Sequence, residues 1–377
     1  MRIGLIGKRI ATTKSSVAGG GDIFQIYLLR ALKEMGHRVF FSVNVPTNWD
    51  VIKADLGWVY KPDAELVRSS KKIPERAKLF TQFIPSRPIE TLKHVCDITF
   101  NSYGDNLFWN VDLSYMHTPY TKEELKTKYE RNIFSKTYYR LYSSLDQRMN
   151  SKIVTLILTN SHYSERIIKE TMGFSPWVLY PPIDTGFYRS ALTNVDNRLD
   201  HVVTISRFTW EKNLHIIPVL AKRVKNAIFH IAGSVISPES LEVVKFVKRR
   251  SSELKVADRV KIHQNPSIRK RLEILSGSKI YINALKEEHF GMAIAEAASA
   301  GLAALVPNGG GQLEIVPNQE HVYKDIEEAS QLIDEWLSKW SPAKAYQFSH
   351  NAEKFSYENF RRNLSMLLTR VAANKNE

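Results

Sequence analysis

The stretch Glu287-Glu288-His289-Phe290-Gly291-Met292-Ala293-Ile294-Ala295-Glu296-Ala297-Ala298-Ser299-Ala300-Gly301 decides how this sequence is read. It follows a β-branched run, Lys279 to Asn283, and opens an alanine-rich helix. Glu296 falls among Ala293, Ala295, Ala297, Ala298 and Ala300, residues small enough for close packing. A carboxylate buried in that setting is costly unless partnered, so a ligand hydroxyl or a specific donor is expected beside it. The next run, Leu302 to Val306, ends at a second glycine-rich loop, Pro307-Asn-Gly309-Gly310-Gly311-Gln-Leu-Glu314.

Working outward, the same order of strand, loop and helix recurs along the chain, which is the alternation of a parallel sheet with crossover helices. Earlier in the second half come His201 to Ile205, Ile228 to Ala232 and Val260 to His263. The first half offers Arg2 to Gly7, Arg38 to Val45, Asp97 to Asn101, Asp112 to Met116 and Lys152 to Leu158. Between the halves, Tyr180-Pro-Pro-Ile-Asp184 and a polar stretch to Leu199 argue against a continuing element and mark a domain boundary. Asp22 reads as the N-cap of a helix carrying Phe24, Leu28, Leu32 and Met35 on one face and stopping at Gly36. Phe360, Leu364, Leu367, Leu368 and Val371 give a second amphipathic helix between Tyr357 and Ala372. Lys122 to Lys152 is expected to be helical, with Tyr138, Tyr139, Leu141, Tyr142 and Leu145 as packing residues.

Composition narrows the classes. The 377 residues are 43% hydrophobic and 24% charged, an ordinary globular balance that leaves no room for a disordered or collagen-like chain. No apolar run approaches the ~20 residues of a spanning helix, and no signal peptide opens the chain, so a cytoplasmic protein is expected. One cysteine, Cys96, makes neither an intramolecular disulfide nor a cysteine-based zinc site. The net charge is +14, and residues 1–190 hold 27 Lys+Arg against 18 Asp+Glu, or +9 of it. Such a surplus attracts phosphates without saying which kind. No nucleic-acid recognition motif accompanies it, and no nucleic-acid partner is expected.

In open α/β sheets ligands bind beyond the carboxyl ends of the strands. Three further segments fall there, and a fourth cluster stands apart from them. Gly19-Gly20-Gly21 precedes the first helix and would let backbone N–H groups approach an anion, although the spacing is neither G-x-G-x-x-G nor a P-loop. His117 follows the fourth strand of the first half. Arg207 and Lys212 stand five apart in Ser206-Arg-Phe-Thr-Trp-Glu-Lys212-Asn213, where two cations suit a pyrophosphate. The cluster Arg68, Lys71, Lys72, Arg76 and Lys78 suits reversible docking on an anionic membrane surface.

Together these segments resemble glycosyltransferase family 4. The resemblance rests on the glycine loop with Gly36-His37-Arg-Val39, on Tyr180-Pro-Pro-Ile-Asp184, on Arg207-x4-Lys212-Asn, on Glu288-x7-Glu296 and on Gly310-Gly311-x-x-Glu314, and it covers nearly the whole chain. With Met-His117-Thr-Pro and Glu288-His-Phe-Gly, the chain is most similar to the α-1,2-mannosyltransferases that extend dolichol-linked oligosaccharides from GDP-mannose. The resemblance implies an α/β, GT-B fold of two facing Rossmann-like domains with parallel sheets and a C-terminal helix crossing back to the first domain. It implies an acceptor-side domain over 1–187, a linker over 188–200, a donor-side domain over 201–355 and the C-terminal helix over 356–377.

For the site, the resemblance implies that Arg207 and Lys212 hold the donor diphosphate. Glu296 takes the ribose hydroxyls, and Glu288, Phe290 and Gly291 orient the transferred sugar. Gly19, Gly20, Gly21, Gly310 and Gly311 line the donor side, and His117 reaches the sugar from the opposite domain. It implies a retaining enzyme that binds a GDP- or UDP-linked sugar nucleotide and a glycan or lipid-linked acceptor at the cytoplasmic membrane face. No D-x-D occurs in the sequence, so no cofactor and no metal are expected. A sugar-nucleotide epimerase, a phosphorylase or a non-catalytic binding protein of the same fold would share the architecture without the full set of motifs.

Overall fold

In the computed structural model, residues 1–7, 10, 12, 16–17, 19–67, 87–103, 111–119 and 156–375 are described. The cluster from Arg68 to Lys78 and the stretch from Lys122 to Lys152 lie outside the described residues. The β-branched runs become two parallel sheets. The first takes β1 (Arg2–Ile6), β2 (Arg38–Val43), β3 (Ala64–Val67), β4 (Ile98–Asn101), β5 (Leu113–Met116), β6 (Leu156–Thr159) and β7 (Trp177–Val178) in the order β3-β2-β1-β4-β5-β6-β7. The second takes β8 (Leu199–Ile205), β9 (Ile228–Gly233), β10 (Val260–Gln264), β11 (Ser278–Ile282), β12 (Ala303–Pro307) and β13 (Val322–Tyr323) in the order β10-β9-β8-β11-β12-β13. Counted within each domain both follow the doubly wound order 3-2-1-4-5-6, with β7 added at the edge of the first, and this places a crevice between β1 and β4 and another between β8 and β11.

Most strands read from sequence are largely buried, such as β4 and β5, where every residue is buried; β10, half-exposed at a sheet edge, is the exception. The ones not read, β3, β7 and β13, are short strands toward the sheet edges. The first helix begins at Gly20, two residues before Asp22. Its N-cap is Gly19, in extended backbone with no side-chain cap, and Asp22 sits in the first turn beside the positive helix end. Gly36, with φ 76°, closes it in the left-handed conformation.

The interval expected to lack structure between the domains holds a short helix, Thr185–Arg189, followed by a 3-10 segment, Ser190–Asn197. Asp184 explains the first, because its carboxylate accepts the Phe187 N–H at 3.0 Å. Arg198 anchors the second: its buried guanidinium donates to the carbonyls of Ala191, Ser278 and Ala300, and burial pulls it down to about 10.

The last helix, Tyr357–Asn374, crosses back. Phe360, Leu364, Leu367, Leu368 and Val371 are buried in the core of the first domain beside Phe24, Leu28 and Leu32. Each such side chain contributes about 1.5–3 kcal/mol of burial, so the crossing is strongly held. The two passages between domains run side by side: Ile183 donates its N–H to Phe355 at 3.0 Å and accepts from Tyr357 at 2.8 Å. Among the described residues no helix is long and apolar enough to cross a membrane.

Candidate active site

The carboxyl ends of β1 and β8 face each other across the cleft, and the loops that leave them carry the glycines and the cations. A Cβ placed on Gly19 would lie 3.8 Å from Cδ of Arg207, and one on Gly20 would press on the Met292 sulfur at 3.2 Å. The N-terminus of the helix Gly20–Glu34 thus meets that of the helix Met292–Ser299, whose N-cap is Gly291 with φ 99°. Two helix N-termini and two cations converge, an arrangement with a strong preference for a polyanion.

Arg207 is exposed and pairs with Glu211 at 3.0 Å. Lys212 is more enclosed, and its Nζ lies 2.6 Å from Oε2 of Glu288. The two loops flanking the crevice between β8 and β11 are therefore joined by an ion pair between residues that the sequence reading gave to separate tasks. Phe290 is buried against Tyr180 and Phe355. Gly310, with φ 77°, and Gly311 lie against the main chain of Glu288 and His289: a Cβ on Gly310 would meet the Glu288 carbonyl at 2.5 Å, and one on Gly311 the His289 carbonyl at 2.0 Å. Their smallness lets the second glycine loop brace the loop that carries Glu288.

Glu296 is buried, as its alanine neighbours require. Burial pushes its carboxyl above the ordinary range, offset in part by the charge of Arg271 and a hydrogen bond from Tyr188. His117 is packed edge-on against Phe24 and donates from Nε2 to the Ser102 carbonyl at 2.9 Å. A carbonyl only accepts, so Nε2 carries the proton and Nδ1 is the acceptor. Burial pulls this imidazole down to about 4, which keeps it neutral at physiological pH.

Residues 193–355 match the family model described as Glycosyl transferases group 1. This segment is a group 1 glycosyltransferase domain. The chain is 24% identical over 221 residues to the GDP-Man:Man(3)GlcNAc(2)-PP-Dol alpha-1,2-mannosyltransferase of Dictyostelium discoideum, covering 53% of this chain and 44% of that protein. It is 24% identical over 272 residues to Alpha-1,3/1,6-mannosyltransferase ALG2 of Mus musculus, covering 64% and 65%. The chain thus spans less than two thirds of the length of these curated relatives. The solved structure of Anabaena Alr3699/HepE in complex with UDP and glucose superposes with a TM-score of 0.73 at 15% identity, covering 97% of this chain and 99% of that one. The fold is GT-B: two parallel-sheet α/β domains facing across a cleft.

Within the glycosyltransferase domain, two more residues organise the site: Gln312, which the sequence did not single out, and Glu314, marked there only as the end of a motif. Gln312 is fully buried; its Nε2 approaches the carbonyls of Lys286 at 2.9 Å and Gly309 at 2.8 Å, and its Oε1 accepts from Asn283 at 2.5 Å. It ties the Glu288 loop to the second glycine loop. Glu314 reaches the other domain, where its carboxylate accepts the N–H groups of His162 at 3.2 Å and Tyr163 at 3.0 Å and the Tyr180 hydroxyl at 2.8 Å. These N–H groups open the helix His162–Met172, so the anion sits at a positive helix end. A buried polar residue beside a Gly-Gly pair is the only sequence signal for Gln312, and Glu314 had been read as motif alone.

Proposed function

We propose that the chain is a retaining, metal-independent glycosyltransferase that moves a hexose, mannose from GDP-mannose, to a glycan or lipid-linked oligosaccharide acceptor. The observation that carries this reading is the convergence of two helix N-termini with Arg207 and Lys212 at the cleft between the sheets. Such a cradle supplies fixed positive charge where a nucleoside diphosphate departs. The likeness to a GDP-Man:Man(3)GlcNAc(2)-PP-Dol alpha-1,2-mannosyltransferase supports the donor and acceptor classes.

In this reading Arg207 and Lys212 stabilise the diphosphate as its bond to the anomeric carbon breaks. Glu288 holds Lys212 in place and helps to orient the sugar, Glu296 accepts the ribose hydroxyls, and neutral His117 offers Nδ1 to a hydroxyl across the cleft. The acceptor oxygen bonds to the anomeric carbon on the face the diphosphate leaves, and its proton passes to the departing phosphate oxygen. The carboxylates position; they are not a nucleophile and acid flanking the scissile bond.

A screen of GDP- and UDP-linked sugars, with the product anomer read by NMR, tests the assignment. GDP-mannose should give an α-linked product at the same rate in excess EDTA. Activity lost on chelation and restored by Mg²⁺ or Mn²⁺, or an inverted product, would sink it, and turnover of UDP-sugars alone would move the donor to the uridine class.

The cationic cluster Arg68, Lys71, Lys72, Arg76 and Lys78 adds peripheral docking on an anionic leaflet, at about 1 kcal/mol per well-placed basic residue. Liposome co-sedimentation should show binding to anionic but not neutral vesicles, weakening toward ~0.5 M salt as the screening length shrinks. Equal indifference to both kinds of vesicle at low salt would remove the membrane from the proposal.

A further inference from the structure

Arg271 lies on the helix Ile268–Ser276, whose first N–H is held by Asp55 of the first domain, and it feels the charge of Glu296 and of Asp55. Asp55 is buried and directs its oxygens to the main chain, accepting the Val17 N–H at 2.9 Å and the Ile268 N–H at 2.8 Å. Nε and Nη2 of Arg271 are fully enclosed and have no hydrogen-bond partner among the described residues. These two nitrogens form one edge of the planar guanidinium, where their N–H bonds run parallel and fit two adjacent acceptors at once. An enclosed donor pair without acceptors is disfavoured, and a ligand carrying the matching pair would relieve it.

We propose that this edge of Arg271 reads the base of the donor nucleotide and selects guanine. The inference rests on the glycosyltransferase reading, in which Glu296 holds the ribose; the base then lies one sugar away, on the side where Arg271 flanks that carboxylate. Guanine offers O6 and N7 side by side, both acceptors, whereas the two carbonyls of uracil are separated by an N–H donor. One guanidinium edge therefore discriminates between the two donor classes that the sequence leaves open.

Calorimetric titration of the full chain with GDP, inosine diphosphate, 7-deaza-GDP and UDP tests this. GDP should bind roughly 5- to 150-fold more tightly than UDP, the range of a good bidentate contact. Inosine diphosphate keeps O6 and N7 and should match GDP. Replacing N7 by carbon should cost about 5-fold or more. Arg271→Lys keeps the charge but not the edge, and should abolish the difference between GDP and 7-deaza-GDP and cost GDP more than UDP. Equal binding of GDP and 7-deaza-GDP by the unaltered protein, a preference for UDP, or an equal loss of GDP and UDP in Arg271→Lys would each overturn the proposal and leave the glycosyltransferase reading standing. Binding of no nucleoside diphosphate would overturn both.

Discussion

Replacing Lys212 by alanine should lower turnover by about 10² or more, the scale on which removing one preorganised donor from a developing anion acts. The loss should appear in kcat and in kcat/KM alike, because the cation matters most as the diphosphate takes up charge. Lys212 pairs with Glu288 at 2.6 Å, and both side chains are mostly enclosed. The substitution therefore also leaves a carboxylate short of its counter-charge, at a cost of about 1–3 kcal/mol. Lys212→Ala with Glu288→Gln removes that penalty, so the double variant should recover thermal stability and not turnover. A Lys212→Ala protein with near-normal kcat would contradict the phosphate role.

Glu314→Ala should open the cleft. Its carboxylate accepts from His162, Tyr163 and Tyr180 across the domain boundary, and losing these charge-assisted bonds weakens closure by roughly 3 kcal/mol, about 10²-fold in the closed population. Small-angle scattering should report a larger radius of gyration, and the donor KM should rise. Glu314→Gln retains one acceptor oxygen and should fall between. Unchanged scattering together with an unchanged KM would show that closure does not depend on this clasp.

Most of the fold was legible because its central strands are short apolar runs that are largely buried, and because the amphipathic stripe from Phe360 to Val371 needs a partner core. The motif residues were legible as types: Arg207 and Lys212 as cations after a strand, Glu296 as a carboxylate among alanines. What could not be read was who meets whom. The counter-charge of Lys212 is Glu288, and the partners of Glu296 are Tyr188, from the interdomain segment, and Arg271, from another helix. These pairings come from bringing together segments far apart in the chain, for which no local periodicity carries a signal. His117 illustrates the same limit: position marked it, but its tautomer and neutrality follow from the Ser102 carbonyl and from burial. The helix start at Gly20 rather than after Asp22 was missed because the glycine loop caps itself through main-chain geometry.

The paired passages at Ile183 and Ser356 have a mechanical consequence. A single linker would let the halves swivel about any axis, whereas two strands hydrogen-bonded side by side behave as a strap hinge. Bending about the line joining them leaves both bonds intact, and twisting shears them. The swing of one half against the other is thereby reduced to a nearly planar stroke, which returns Gly20 to Met292 and Glu314 to Tyr163 in register each time the jaws shut.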